Sequence, residues 1–253
     1  MIPALLHGKL TESQQNLEDL LTSAVFGLLK YVAPNQGLLK WLACATCADG
    51  TRVVGIPEQV VAVEYEFWPW IQEDGCHGVE PDVLIHLTDS SGVRHVVLVE
   101  AKYHAGKSYF ADWTDDAPTD QLAREWDNFV IRAKAKGWTP HMLYLTDDYG
   151  VPRIDLNASA EEYRRKRPKE SARYPLRAMW LSWRHLSDVF KTSSNPVLKD
   201  LYDLAKKYSF TFFTGISPIL AMQQKDVWAF GGSIIGYSYW PTKTPFPKWS
   251  FSR

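Results

Sequence analysis

The sequence predicts an α/β protein with a mixed β-sheet flanked by helices. Three observations carry this. Apolar residues recur at helical spacing over 12–31 and again over 120–137. Two nearly continuous apolar runs, Val83–Leu87 and Val96–Val99, lie between those segments. A further strand-like run, Pro140-His141-Met142-Leu143-Tyr144-Leu145, follows the second helix. Short apolar runs between amphipathic helices are the pattern of strands covered on both faces. The expected core order is helix, three strands, helix, strand.

In the first helix Leu17, Leu20, Leu21, Val25, Leu28 and Leu29 form the apolar stripe, and Thr11 or Ser13 can cap it. Glu18 lies one residue from that stripe, at the edge of the face to be buried. It reads either as a site carboxylate or as an exposed first-turn acid favoured by the helix dipole. Pro34-Asn35-Gln36-Gly37 breaks the helix, and Leu38–Ala48 reads as a short second one. Gln59–Trp70 alternates with a period of two, so it is a strand, with Glu64 and Glu66 on one face. That face is either solvent or the site. The two apolar runs follow, joined by the turn sequence Asp89-Ser90-Ser91-Gly92.

Tyr103–Thr119 is a long connection, and connections of that length in compact domains are often functional. Asp120–Gly137 is a helix ended by its glycine, and Thr139–Thr146 a strand stopped by Asp147-Asp148-Tyr149-Gly150. Ala158–Lys169 reads as one charged helix and Leu176–Trp183 as a last core strand. Arg184–Phe190 and Pro196–Tyr208 read as helices. Beyond Thr211 the Gly-, Pro- and aromatic-rich chain suggests turns and short strands. No repeat or linker demands two domains. The expectation is one domain over 1–253, with a core of about 12–190 and an aromatic-rich extension over 191–253.

The chemistry concentrates between Pro81 and Lys102. Pro81-Asp82 opens one apolar run, and Glu100-Ala101-Lys102 closes the next, with 17 residues between Asp82 and Glu100. Two strands joined by a tight turn would bring Asp82, Glu100 and Lys102 to one end of a hairpin. Side chains alternate along a strand, so Glu100 and Lys102 point the same way and Ala101 points away. Two carboxylates and a lysine make a site for a hard divalent cation beside a positive charge, which suits phosphodiester cleavage. Charges at the end of so apolar a run need a partner. A plain Glu100–Lys102 ion pair is the structural alternative.

This constellation resembles the PD-(D/E)xK nuclease superfamily, with Pro81-Asp82 as the Pro-Asp doublet and Glu100-Ala101-Lys102 as the (D/E)xK element. Members commonly carry a glutamate on the helix before the sheet, where Glu18 stands. Some carry a glutamine on the helix after the third strand, where Gln121 stands. By element order the resemblance covers roughly residues 12–190. It implies a restriction-endonuclease-like core and a Mg²⁺-dependent endonuclease, with Mn²⁺ as a substitute. It also implies metal ligation by Asp82, Glu100, Glu18 and the backbone carbonyl of Ala101, and catalytic roles for Lys102 and Gln121. The implied partner is nucleic acid. DNA comes ahead of RNA because most members act on DNA, in restriction, anti-phage defence or DNA processing. Two alternatives stay open: a non-catalytic nucleic-acid-binding subunit of a larger defence or repair complex, and an RNA-directed nuclease. A homodimer or a partner subunit would supply a second site for cutting two strands.

Further phosphate contacts have weaker signals. His104 and Lys107 follow Lys102 closely and can border a substrate groove, or belong to a solvated loop. Arg164, Arg165 and Arg167 dominate the one strongly basic segment, although Glu161, Glu162 and Glu170 balance it.

Composition sets outer limits. Hydrophobic content of 45% and charged content of 23% are those of a globular protein. A net charge of −1 disfavours a non-specific nucleic-acid coater but not a metal-dependent nuclease, whose cation supplies local positive charge. Cys44, Cys47 and Cys76 form no disulfide framework, and adjacent Cys76 and His77 poorly complete a zinc set with Cys44-Ala45-Thr46-Cys47. No apolar run approaches the ~20 residues that span a bilayer, and Met1–Leu10 is a poor signal peptide. A cytoplasmic protein without membrane contact is expected. The chain has no Gly-rich phosphate loop, Gly-x-Ser-x-Gly elbow or His-Glu-x-x-His pair, which disfavours several small-molecule enzyme classes.

Overall fold

The computed structural model describes residues 15–52, 55–108 and 117–212, together with 229–230 and 233–234. The chain falls into two units, Met1–Phe212 and Phe213–Arg253.

The first unit opens with helices α1 (Gln15–Leu29) and α2 (Leu38–Leu42). Strands β1 (Val60–Phe67), β2 (Val83–Asp89) and β3 (Arg94–Ala101) come next, then α3 (Gln121–Lys136) and β4 (Thr139–Thr146). Helices α4 (Arg153–Lys166) and α5 (Pro168–Arg173) precede β5 (Met179–Ser182), and α6 (His185–Phe190) and α7 (Pro196–Lys207) complete it. The strands form one mixed open sheet in the order β1-β2-β3-β4-β5. β2 pairs antiparallel with both β1 and β3, and β4 and β5 continue the sheet parallel to β3. The chain is therefore α/β with the expected order of helix, three strands, helix, strand. Caps Thr11 and Ser13 lie outside the described residues.

Alternation explains why the apolar runs are continuous. Val83, Ile85, Leu87, Val97, Val99, Leu143 and Leu145 point to one face. There they pack with Val25 and Phe26 of α1, Trp41 of α2 and Leu201 of α7. Leu84, Val96, Leu98, Met142 and Tyr144 point to the other face, against Leu122, Trp126 and Phe129 of α3 and Tyr163 of α4. Each face has its own helical cover, so neither set of side chains needs to be polar.

The β2–β3 turn fixes the register on which the site depends. Asp89 Oδ1 accepts from the backbone N–H of Ser91 at 2.8 Å and of Val93 at 2.9 Å. Gly92 takes φ +84°, a left-handed value that glycine adopts without a Cβ clash. Pairing of Val83 with Val99 then sets Asp82, one residue before the first, beside Glu100, one residue after the second.

Helix α3 is capped as its sequence predicts. The Asp120 side chain accepts from Ala123 N–H, and Gly137 ends the helix at φ +68°. The charged segment departs from expectation. It is two helices, α4 and α5, separated at Arg167, because Pro168 lacks the N–H that a continuous helix needs. Residues beyond 190 also differ. Leu198, Leu201, Ala205 and Phe210 are buried in the same core as α1, so 191–212 belongs to the first unit.

Within the second unit, Ala229–Phe230 pairs antiparallel with Ser233–Ile234. No helix among the described residues is long and apolar enough to cross a membrane.

Candidate active site

Lys102 is the hub. It leaves the end of β3, and its backbone N–H donates to Leu145 O at 2.7 Å, which extends the β3–β4 ladder by one bond. Its Nζ lies 2.6 Å from Glu100 Oε1 and 3.5 Å from Glu18 Oε1, and its side chain is only 12% exposed. Glu18 reaches across from α1, and its Oε2 accepts the N–H of Tyr103 at 2.7 Å. Asp82 Oδ2 accepts the N–H of Ala101 at 2.8 Å, which ties the start of β2 to the end of β3. Gln121, in the first turn of α3, donates its amide to Glu100 Oε1 and, at 3.1 Å, to Glu125 Oε1. Its own Oε1 accepts from the N–H of Ser108 at 3.0 Å and from its hydroxyl at 3.1 Å. Residues distant in sequence (18, 82, 100, 102 and 121) thus meet at one end of the sheet.

The electrostatics follow from burial. Glu100 is 2% exposed. Desolvation, with the nearby charges of Glu125 and Asp82, pushes its carboxyl well above the usual range. Burial likewise raises Glu18 to about 7, against the pull of Lys102. Burial opposes the charge on Lys102, but the carboxylates of Glu100, Asp82 and Glu18 outweigh it and hold the ammonium protonated far above neutral pH. Lys102 is therefore a cation and a hydrogen-bond donor here.

Glu18 makes this testable without any substrate. Its ordinary value of 4.5 is raised to about 7 in the folded chain. Below about 4.5 both states bind the proton and the full contribution to stability is present. That contribution fades as the pH rises through about 7, because the folded carboxyl ionises with more difficulty than the unfolded one. Glu18→Gln keeps an acceptor for Tyr103 and loses the ionisation. In metal-free thermal unfolding, the variant should gain on the wild type between pH 5 and pH 8. A gap that is constant across that range contradicts the burial argument.

Glu125 is the residue that the motifs miss. It sits one helical turn after Gln121, is 2% exposed, and burial raises it to about 7. Its Oε2 is buried without a hydrogen-bond donor, and the carboxyl lies within hydrogen-bonding reach of Glu100. A signal was present: Gln121, Glu125 and Asn128 fall at i, i+4 and i+7, a polar stripe beside the apolar one on α3.

Two of the three non-glycine residues with positive φ among those described flank this cluster. Trp68, at φ +47°, donates its N–H to Asp82 O at 2.9 Å. His104, at φ +57°, turns the chain two residues after Lys102. Such conformations persist only where surroundings enforce them, and they gather at functional sites.

The outer residues divide. His104 is 66% exposed beside the cluster, with Nδ1 2.9 Å from Asp147 Oδ2. Arg164 is exposed and paired with Glu161, and Arg165 is exposed, so both remain accessible to a polyanion. Lys107 is not. Its Nζ lies 2.6 Å from Asp120 Oδ2, 2.8 Å from Asp155 O and 2.7 Å from Ser159 Oγ, with both charged side chains 1% exposed. It braces the start of α3 against α4. Arg167 is also structural. Its Nε lies 3.0 Å from both Asp127 oxygens and its Nη2 2.8 Å from Oδ2, with Asp127 4% exposed. Glu64 and Glu66 pair with Arg94 and His86, away from the cluster.

Arg167→Ala should destabilise the fold by about 3 kcal/mol, since it strands a buried carboxylate. Urea unfolding measures this. A change under about 0.5 kcal/mol, typical of a surface site, would return Arg167 to the pool of substrate contacts.

Among the described residues, no three His, Cys, Asp or Glu side chains are spaced as a ready metal-ligand set. Glu100 is turned instead to Lys102 and Gln121. The donors still suit a hard cation. They are carboxylate oxygens at close quarters, burial and then their neighbouring charges raise their proton affinity, and Glu125 Oε2 lacks a hydrogen-bond donor. Comparison of the chain with protein-family models, with curated proteins and with solved structures yields no match.

Proposed function

We propose that this chain is a metal-dependent nuclease with a restriction-endonuclease-like core, and that it hydrolyses phosphodiester bonds at the Asp82–Glu100–Lys102 end of its sheet. The observation that carries this reading is the meeting of Glu18, Asp82, Glu100 and Lys102 across the β2–β3 hairpin and α1. A structural ion pair at a strand end needs only Glu100 and Lys102. It gives no reason to gather further carboxylates around them at a cost in desolvation.

In this reading Asp82, Glu100, Glu18 and the Ala101 carbonyl would hold Mg²⁺ or Mn²⁺, which when bound would supply an acidified water and charge neutralisation at the phosphate. The chain's own groups do the remainder. The Lys102 ammonium stays charged and donates to the water or to a phosphate oxygen as negative charge develops there. Gln121, anchored by Ser108, sets the plane of the Glu100 carboxylate. Glu18 fixes the backbone at Tyr103 and so the direction in which Lys102 leaves the strand. His104 and the exposed Arg164 and Arg165 are left to steer the phosphate backbone.

The substrate test offers supercoiled plasmid, single-stranded DNA and a structured RNA to the purified protein with Mg²⁺. Cutting of DNA is the expected outcome. Cutting of RNA alone reassigns the substrate. Binding without cutting of any of the three reassigns the chain to a non-catalytic nucleic-acid-binding role.

A further inference from the structure

The site holds more negative charge than its motif requires. Glu18, Asp82, Glu100 and Glu125 all bear on one another electrostatically or through Lys102. Among the described residues two cationic side chains answer them: Lys102, and Arg124, whose charge acts on Glu125 and Glu100. Four carboxylates against two cations is an unfavourable balance in so buried a place. Gln121 mitigates it locally. Its neutral amide donates to Glu100 Oε1 and to Glu125 Oε1, so it stands between the two acids. The two carboxyl groups also lie within hydrogen-bonding reach of each other, so they need a proton or a cation between them, and Glu125 Oε2 is buried with no hydrogen-bond donor.

We infer that Glu125 is a cation ligand of this site, which it supplies together with Glu100. The two carboxylates both accept from the Gln121 amide, and a divalent cation bound by them would supply what these side chains alone do not. It gives a partner to the unpaired oxygen and two positive charges to the acidic cluster. Hard oxygen donors of this kind fit Mg²⁺ or Mn²⁺. The inference rests on the metal-dependent reading of the same site, but it concerns binding alone and needs no substrate.

Mn²⁺ binding to the full chain, followed by calorimetry without nucleic acid, tests it. Glu125→Gln is nearly isosteric and removes only the charge. It should weaken Mn²⁺ by at least about tenfold, since even residues behind a ligand cost 10–100-fold. The same variant should unfold at a higher temperature than the wild type without metal at pH 8, because a repulsion is gone. Mn²⁺ should stabilise it less. A merely structural glutamate would not produce these opposite signs. If Glu125→Gln fails to fold, Glu125→Asp serves: its shorter side chain should also weaken Mn²⁺ severalfold. Wild-type affinity in the folded variant overturns the inference, and so does a wild type that binds no Mn²⁺. A protein that binds Mn²⁺ through Glu125 yet cuts nothing overturns the nuclease reading and leaves this one standing. Cutting with unchanged Mn²⁺ affinity in Glu125→Gln does the reverse.

Discussion

Lys102→Ala should lower metal-dependent cleavage by at least about 10²-fold, the loss seen when one preorganised donor to a developing oxyanion is removed, while the cation stays bound. Nζ lies 2.6 Å from Glu100 Oε1 and 3.5 Å from Glu18 Oε1, so it neutralises the same carboxylates that would hold the metal. Removing it frees those oxygens, and cation affinity should hold or rise. The apo protein should lose stability, because buried carboxylates lose their counter-charge, and added Mg²⁺ should restore it. Cleavage rate, Mn²⁺ titration and thermal unfolding read these three effects separately. A variant that still cuts at the wild-type rate ends the catalytic role of Lys102. One that neither cuts nor binds Mn²⁺ makes Lys102 part of the binding site instead.

Asp82→Asn should have the larger effect, a loss of cleavage on the order of 10³-fold or more, with weaker cation binding. The substitution is chosen for the geometry. Asp82 Oδ2 accepts the N–H of Ala101 at 2.8 Å, and an asparagine carbonyl can accept it equally well. The end of the hairpin is kept and the charge is lost. A fall in activity with an unchanged melting temperature then belongs to the charge. An Asp82→Asn protein that loses its fold instead would make the carboxylate chiefly a strand tie.

Much of this arrangement can be read from the chain before any coordinates. The hairpin and its register follow from two apolar runs and an Asp-Ser-Ser-Gly turn, and the register alone brings Asp82 to Glu100. Glu18 and Gln121 reach the cluster from helices whose periodicity is plain. Other features depend on partners that local pattern cannot supply. Lys107 looks like a loop lysine beside a groove, yet its charge is spent on Asp120 and α4. Arg167 looks like part of a basic run, yet it pairs with Asp127 on another helix. Pro168 should have divided the charged segment, since a proline ends a helix at the residue before it. Glu125 was hidden because a glutamate on an amphipathic helix is ordinarily a solvent-face residue. The polar stripe of Gln121, Glu125 and Asn128 hints at it, and the packing of α3 against the sheet end, with Arg124, Glu125, Asp127 and Asn128 all buried, shows its place.

The most direct measurement is the nicking of supercoiled plasmid by the wild type and by Asp82→Asn, each with Mg²⁺ and with EDTA. Nicking by the wild type in Mg²⁺ alone, lost in the variant, is the predicted result and places the chemistry at the end of the β2–β3 hairpin. Equal nicking by a folded Asp82→Asn, or nicking that survives EDTA, would contradict it.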